Sequence, residues 1–152
     1  MPRTYLRGVR PILVLAVACL VLSGCLAPGQ RAPYRFYIPN DYVGWVQVDF
    51  EVQGAAPLAT QDGYRLVRFS ASGRFGTSSP MESGWAHDEF YAYGSSGESR
   101  LSDAEQTGSI NAGATGLDGS VHFWRFFVGP YDDYMKYGYP NAARPTIGPV
   151  AR

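Results

Sequence analysis

The stretch Tyr42–Val52, which reads YVGWVQVDFEV, alternates between apolar and polar side chains more regularly than any other part of the chain. A period of two over this length predicts a β-strand with one buried side and one solvent-facing side. The two predicted sides are Val46, Val48, Phe50 and Val52 against Gln47, Asp49 and Glu51. The chain must therefore fold around a sheet that covers an apolar core.

The composition agrees with a β-rich fold, because 18 glycines and 11 prolines accompany 11 tyrosines and eight phenylalanines. Glycine and proline favour tight turns, and aromatic residues favour strands. Further strands are predicted at Tyr64–Ser70 after an Asp62-Gly63 turn, within Ser70–Ser79, at Glu89–Tyr93, around Ile110 and at Val121–Gly129. One short helix is predicted between Pro130 and Gly138. We therefore predict a mostly β fold, a single small β-sandwich-like domain with one short C-terminal helix.

The amino-terminal end of the chain has the pattern of an export signal. Arg3, Arg7 and Arg10 precede an apolar run from Pro11 to Leu22, with no acidic residue among them. A membrane-spanning helix needs about 20 apolar residues, and this run is much shorter. The pattern predicts a cleaved signal peptide rather than a transmembrane span.

The signal ends in Leu22, Ser23, Gly24 and Cys25, a quartet that resembles the lipobox of bacterial lipoproteins. The resemblance implies a thioether-linked diacylglyceryl group on Cys25, cleavage before it, and acylation of the new amino terminus by a chain such as palmitate. Two or three acyl chains anchor a protein firmly. Leu26 is similar to the residue found after the cysteine in lipoproteins of the outer membrane, which implies a periplasm-facing location if the cell is Gram-negative. The alternatives are an ordinary signal peptide and a buried thiol in a short hydrophobic helix.

We expect four segments: the signal peptide at 1–24, the lipidated cysteine and a short tether at 25–33, a β-rich domain at 34–139, and a flexible tail at 140–152. Without the signal, ten basic residues face 13 acidic ones, a net charge near −3. Nucleic-acid binding requires a basic surface and is not expected. Cys19 leaves with the signal and Cys25 is lipidated, so no disulfide is expected within the mature chain.

Four further stretches carry a family resemblance: YIPNDYVGWVQVDF, GAAPLATQDGYRLVRFSASGRFGTSS, GWAHDEFYAY and FFVGP. In this order they resemble one family of small bacterial envelope proteins, often lipoproteins, with a domain of unknown function. The resemblance implies a compact β-rich domain and an exported location. It implies no activity and no functional residues. A fainter likeness to transthyretin-like sandwiches concerns the fold alone.

The segment GWAHDEF gathers the side chains with the most chemical potential, from Trp85 to Glu89. Imidazole and carboxylate groups bind metals and carry protons, so His87, Asp88 and Glu89 are candidates for a metal or acid-base site. Alternation would place His87 and Glu89 on one face and Asp88 on the other. A structural or exposed role is the competing interpretation. Ser78 and Ser79 could supply the nucleophile of a hydrolytic triad, and their competing role is to hold a turn by hydrogen bonds to the backbone.

Four residues are candidates for a partner or ligand surface: Trp45, Trp85, His87 and Tyr134. Their competing roles are packing against the core and sealing the sandwich. We therefore expect a lipid-anchored binding or assembly accessory module, with an envelope protein or cell-wall glycan as partner and no cofactor or metal. The alternatives are a ligand-binding or hydrolytic enzyme that uses His87–Glu89, and a structural envelope protein.

Replacement of Cys25 tests the anchor. Cys25→Ser removes the thiol that forms the thioether, so lipid labelling should disappear and unprocessed precursor should accumulate. Metabolic labelling with a fatty acid and gel mobility measure the two effects. Normal labelling with normal processing would show that Cys25 is not the attachment residue.

Overall fold

The computed structural model describes residues 29–102, 109–139 and 145–151. The predicted signal peptide, Cys25 and the start of the predicted tether lie outside these ranges, so lipidation stays a prediction. No helix within the described part of the chain is long and apolar enough to cross a membrane. The strands are β1 (Tyr34–Pro39), β2 (Gly44–Asp49), β3 (Ala59–Gln61), β4 (Tyr64–Arg68), β5 (Arg74–Gly76), β6 (Glu89–Gly94), β7 (Gly97–Arg100), β8 (Ile110–Asp118), β9 (Val121–Val128) and β10 (Gly148–Pro149).

The strands form two sheets, which confirms the predicted mostly β, sandwich-like fold. The first sheet has the order β3-β4-β1-β6-β7, and the second has the order β10-β2-β9-β8, with β5 also paired to β2. A short helix, α1 (Tyr131–Asp133), continues into a π-helical turn (Tyr134–Gly138). These two segments confirm the short helix predicted between Pro130 and Gly138. The likeness to transthyretin-like sandwiches stays a prediction.

The first sheet is organised by β1, which runs parallel to both of its neighbours, β4 and β6. Alternate residues Tyr34, Phe36 and Ile38 are at most 1% exposed and form one wall of the core. The Phe36 ring meets the Phe126 ring of the second sheet edge to face, with centroids 5.2 Å apart. Burial of such aromatic side chains contributes about 1.5–3 kcal/mol each, so contacts of this kind between the sheets stabilise the sandwich.

The prediction for β2 is right about its buried side and wrong about a wet opposite side. Val46 and Val48 are fully buried, as expected. Trp45 and Gln47, on the other side, are only 3% and 2% exposed. The reason is tertiary: the helical segment and the C-terminal residues cover this side of the second sheet, where Trp45 packs against Tyr134 and Ile147.

The C-terminal segment was predicted to be loose from residue 140 onward, but residues 145–151 dock on β2. β10 pairs antiparallel with Gly44 and Trp45, and the Val150 amide donates a hydrogen bond to the Val43 carbonyl at 2.8 Å. Gly44 allows this approach because a Cβ there would lie 2.1 Å from the Gly148 carbonyl oxygen. The docked segment therefore belongs to the folded domain.

The Asp62-Gly63 turn is confirmed, because both residues have positive φ values, 51° and 82°, in the two-residue connection between β3 and β4. The strand after the turn, β4, lies in the first sheet, antiparallel to β3 and parallel to β1. The strand predicted at Val121–Gly129 is confirmed as β9, which lies between β2 and β8.

Val48→Asp tests the packing of the sandwich. Val48 is fully buried opposite Trp124, so an aspartate there is unpaired, and its burial costs several kcal/mol of a total stability of about 5–15 kcal/mol. The variant should lose its cooperative thermal transition by circular dichroism. The matched control is Gln61→Asp on the exposed strand β3, which should melt like the wild type. A cooperative, wild-type melting curve for Val48→Asp would contradict the assigned faces of β2.

Candidate functional site

The outer side of the first sheet carries tyrosine and arginine side chains in place of the usual scattered polar residues. Because side chains alternate along a strand, the residues between the core positions of β1, β4 and β6 all point to this side. In register, Tyr37 lies between Arg68 of β4 and Tyr91 of β6. We name this surface the tyrosine-arginine face; its members are Arg35, Tyr37, Tyr64, Arg68, Glu89, Tyr91, Tyr93, Glu98 and Arg100.

The rings and guanidinium groups of this face are stacked on one another. Tyr37 and Tyr91 stack with ring centroids 5.7 Å apart and planes inclined by 27°. The Arg68 guanidinium carbon lies 3.7 Å from the Tyr93 ring centroid, and that of Arg35 lies 4.3 Å from the centroid of Tyr64. Cation-π contacts of this kind hold long arginine side chains in place. The face is therefore ordered before any ligand arrives.

One ion pair at the centre of the face is partly buried. Arg35 Nε donates to Glu89 Oε2 at 2.9 Å, and both side chains are less than 20% exposed. Burial alone would raise the pKa of Glu89, but hydrogen bonds from Arg35 and Tyr91 and the charge of Arg35 lower it overall. Glu89 is therefore held as a carboxylate and acts as a fixed acceptor for Arg35.

The arginines at the margin of the face are paired more weakly. Arg68 lies 3.4 Å from Glu98, and Arg100 lies 3.9 Å from Glu89, with the arginine side chains 54% and 66% exposed. Exposed pairs contribute only about 0–1 kcal/mol, so these guanidinium groups exchange partners at little cost. Three arginines face two glutamates here, which leaves the face with a net positive charge.

No described element covers the tyrosine-arginine face. The helical segment and β10 contact the second sheet, where Trp45 and Phe127 form a small second core beneath them. The first sheet has no such cover in the described part of the chain. One side of the sandwich is thus sealed by the protein itself, and the other presents aromatic rings and guanidinium groups to solvent.

The predicted candidate segment GWAHDEF has a mainly structural role. Asp88 accepts two hydrogen bonds from Arg31, at 2.8 and 2.5 Å, and a third from the Tyr34 amide at 2.8 Å. Arg31 was predicted to lie in a tether, yet it is 8% exposed and stacks over the rings of Tyr34 and Trp124. This buried pair ties the segment before β1 to the segment before β6.

The two other members of the predicted acid-base group do not join Asp88. Glu89 is held by Arg35 on the outer face, and His87 is exposed with its ring edge-on to Trp85, at a centroid distance of 5.3 Å. Within residues 29–102, 109–139 and 145–151, no three His, Cys, Asp or Glu side chains converge to hold a metal ion. Asp88 and Glu89 thus have different partners, Arg31 and Arg35, and the three groups form no shared site.

The remaining predicted residues divide between core and surface. Trp45 is not a surface residue, because Phe127 and Tyr134 pack on its indole edge to face. Tyr134 is half-buried in the same cluster, which is the sealing role considered for it. Trp85 is 58% exposed. The Ser79 hydroxyl accepts the Leu58 amide at 2.9 Å and holds a turn, as its competing interpretation predicted.

A polar groove of about 530 Å³ lies on the outer side of the second sheet, lined by Arg74 and Arg125 among others. Arg74 pairs with Asp49 at 3.2 Å, and Arg125 stacks over the Phe123 ring at 3.7 Å. Burial lowers the pKa of Arg125, although Asp118 offsets part of that effect. Because its arginines and aspartates balance, this groove offers less net attraction for an anionic partner than the tyrosine-arginine face.

The fold and this face define a small two-sheet β domain with one open, aromatic and cationic sheet surface. Residues 30–123 match the family of unknown function DUF6843, and the chain belongs to that family. No curated protein matches the chain. A crystal structure named "Putative Lipoprotein from Bacillus anthracis" has the same fold, with 20% sequence identity, a TM-score of 0.56, and coverage of 72% of this chain and 78% of that one.

Removal of Arg31 tests the structural role of the buried pair. Arg31→Met leaves the Asp88 carboxylate without its counter-ion, which should lower the free energy of unfolding by about 3–5 kcal/mol. Arg68→Met, in the exposed pair with Glu98, should cost at most about 1 kcal/mol. Urea titration measures both values.

A second change separates the charge from the packing of Arg31. In Arg31→Met/Asp88→Asn the stranded charge is gone while the side-chain oxygen still accepts the Tyr34 amide, so part of the loss should be recovered. Equal stability of Arg31→Met and Arg68→Met would contradict the assigned role of the pair.

Proposed function

We propose that this protein is a lipid-anchored binding module of the bacterial cell envelope, and that its tyrosine-arginine face binds an envelope protein. The observation that carries the proposal is the open outer side of the first sheet, where tyrosine rings and arginine guanidinium groups lie stacked and uncovered. Tyrosine and arginine are enriched in protein interfaces and dominate their binding energy. The tyrosine-arginine face has this composition, and stacking contacts already hold its rings and guanidinium groups in place.

Two observations support the lipid anchor. The residues around Cys25 have the lipobox pattern, and the structural neighbour from Bacillus anthracis is named as a lipoprotein. The predicted thioether on Cys25 would hold the domain at the membrane through its acyl chains. If the cell has two membranes, Leu26 favours the outer one, with the domain facing the periplasm.

A binding role fits the geometry better than catalysis through the His87–Glu89 segment. Asp88 and Glu89 are engaged by Arg31 and Arg35, so neither carboxylate is poised to exchange a proton with a substrate. The exposed arginines of the face, by contrast, can exchange their weak glutamate partners for acidic groups of a protein.

Charge reversal on the face tests the proposal. Cross-linking in intact cells followed by mass spectrometry should identify a specific protein partner of the anchored wild type. Arg68→Glu should weaken that capture by at least about tenfold, because it sets like charges against the acidic groups of the partner.

The control is Arg74→Glu on the second sheet. Arg74 matches Arg68 closely: it is 53% exposed against 54%, and it pairs with Asp49 at 3.2 Å against 3.4 Å to Glu98. The control should leave capture unchanged. Loss with Arg74→Glu alone would place the binding surface in the groove of the second sheet. Capture of cell-wall glycan, or of abundant neighbours that neither variant changes, would contradict a protein-binding role.

A further inference from the structure

Trp85 presents its indole to solvent beside the first described residues of the chain. Its amide donates to the Gly29 carbonyl at 3.1 Å, and its carbonyl accepts the Arg31 amide at 3.3 Å. Gln30 forms an isolated parallel bridge with Trp85 between these two bonds. The side chain is nevertheless 58% exposed, which is unusual for a tryptophan. Backbone hydrogen bonds thus hold residues 29–31 against Trp85, while the indole ring remains in solvent.

Residues 29–31 are fixed to the domain and do not form a free linker. The Arg31 guanidinium is held by Asp88, and its Nε donates to the Gly84 carbonyl at 3.1 Å, next to Trp85 in the chain. From Gly29 back to Cys25 the chain spans at most about 14 Å, even when fully extended. The residue that carries the predicted lipid therefore lies within about 14 Å of Gly29, whose carbonyl accepts the Trp85 amide.

We propose that Trp85 inserts its indole into the headgroup layer of the membrane that holds the lipid on Cys25, and that this contact orients the domain. The inference rests on the proposed lipid anchor. The indole prefers the membrane interface, because its apolar ring and its N–H group suit the boundary between lipid and water. The headgroup layer on each side of a bilayer is about 5–7 Å deep, and a chain this short between Cys25 and Gly29 keeps the ring within reach of it.

The neighbouring side chain leaves the indole free for this contact. His87 meets Trp85 edge to face at 5.3 Å and supports the ring from one side. One tryptophan binds lipid too weakly to hold a protein by itself, so Trp85 has an orienting role while the acyl chains provide the affinity.

Quenching of tryptophan fluorescence by brominated lipid tests the proposal. The protein processed by cells is extracted from their membranes and reconstituted in vesicles of phosphatidylethanolamine and phosphatidylglycerol, with or without a brominated phosphatidylcholine. Subtraction of the spectrum of Trp85→Phe isolates Trp85 from Trp45 and Trp124. This difference spectrum should be blue-shifted and should lose most of its intensity in brominated vesicles.

The control places an equally exposed tryptophan away from the anchor. Tyr139 is 60% exposed and contacts Tyr134, in the cluster over Trp45 and Phe127. In the Trp85→Phe background, Tyr139→Trp should retain its intensity in brominated vesicles.

The outcomes distinguish this inference from the anchor on which it rests. A vesicle-bound protein whose Trp85 signal is unshifted and unquenched would overturn the inference and leave the lipid anchor standing. A protein without lipid on its amino-terminal peptide that also fails to float with the vesicles would overturn both. Equal quenching of the Trp85 and Tyr139→Trp signals would contradict a defined orientation.

Discussion

The buried pair of Arg31 and Asp88 is the interaction on which the arrangement of this protein depends. It joins residues 57 positions apart and fixes the entry of the chain into β1 against the start of β6. The same arginine stacks over Tyr34 and Trp124, so it also reaches the second sheet. A buried ion pair adds little net stability compared with well-packed apolar residues of similar volume. Removal of one partner nevertheless lowers the free energy of unfolding strongly, because the other charge stays buried and unpaired. The pair holds the residues that lead into β1, and the Asp88 carboxylate also accepts the amide of Tyr34, the first residue of that strand.

From that starting point, the period of β1 separates a side that faces the core from an outer side that carries the tyrosine-arginine face. Phe36 faces the core, whereas Arg35 and Tyr37 form the centre of the tyrosine-arginine face. The two sheets also differ in what covers their outer sides. The helical segment and β10 pack on the second sheet, and the first sheet stays open. In the proposed orientation, the residues that precede β1 lie nearest the membrane, and the open face remains available to a neighbouring protein.

The sequence predicts those elements whose signals are local. The alternation around Val46 identifies β2, and Asp62-Gly63 identifies the hairpin of β3 and β4. The sequence analysis did not predict β1. One of its outer residues, Tyr37, is aromatic like the core residues, so the contrast between the two sides of the strand is weak. The pattern Tyr-Arg-Phe-Tyr-Ile nevertheless contained the signal, since Tyr34, Phe36 and Ile38 recur at period two.

Other features depend on contacts between distant residues, and no local pattern predicts them. Gln47 reads as solvent-facing, but the C-terminal segment docks beside it and helps to bury it. Arg31 reads as part of a polar tether until Asp88, far along the chain, is known to be its partner. The tyrosine-arginine face likewise assembles only when parallel pairing brings β4 and β6 to β1. The most direct measurement of the central claim is hydroxyl-radical footprinting of the tyrosines in intact cells and in the purified protein. The account predicts that the tyrosines of the face are protected only in cells, while Tyr139 reacts equally in both samples; those of the face are Tyr37, Tyr64, Tyr91 and Tyr93. If each of the five tyrosines reacts as strongly in cells as in the purified protein, the account is contradicted.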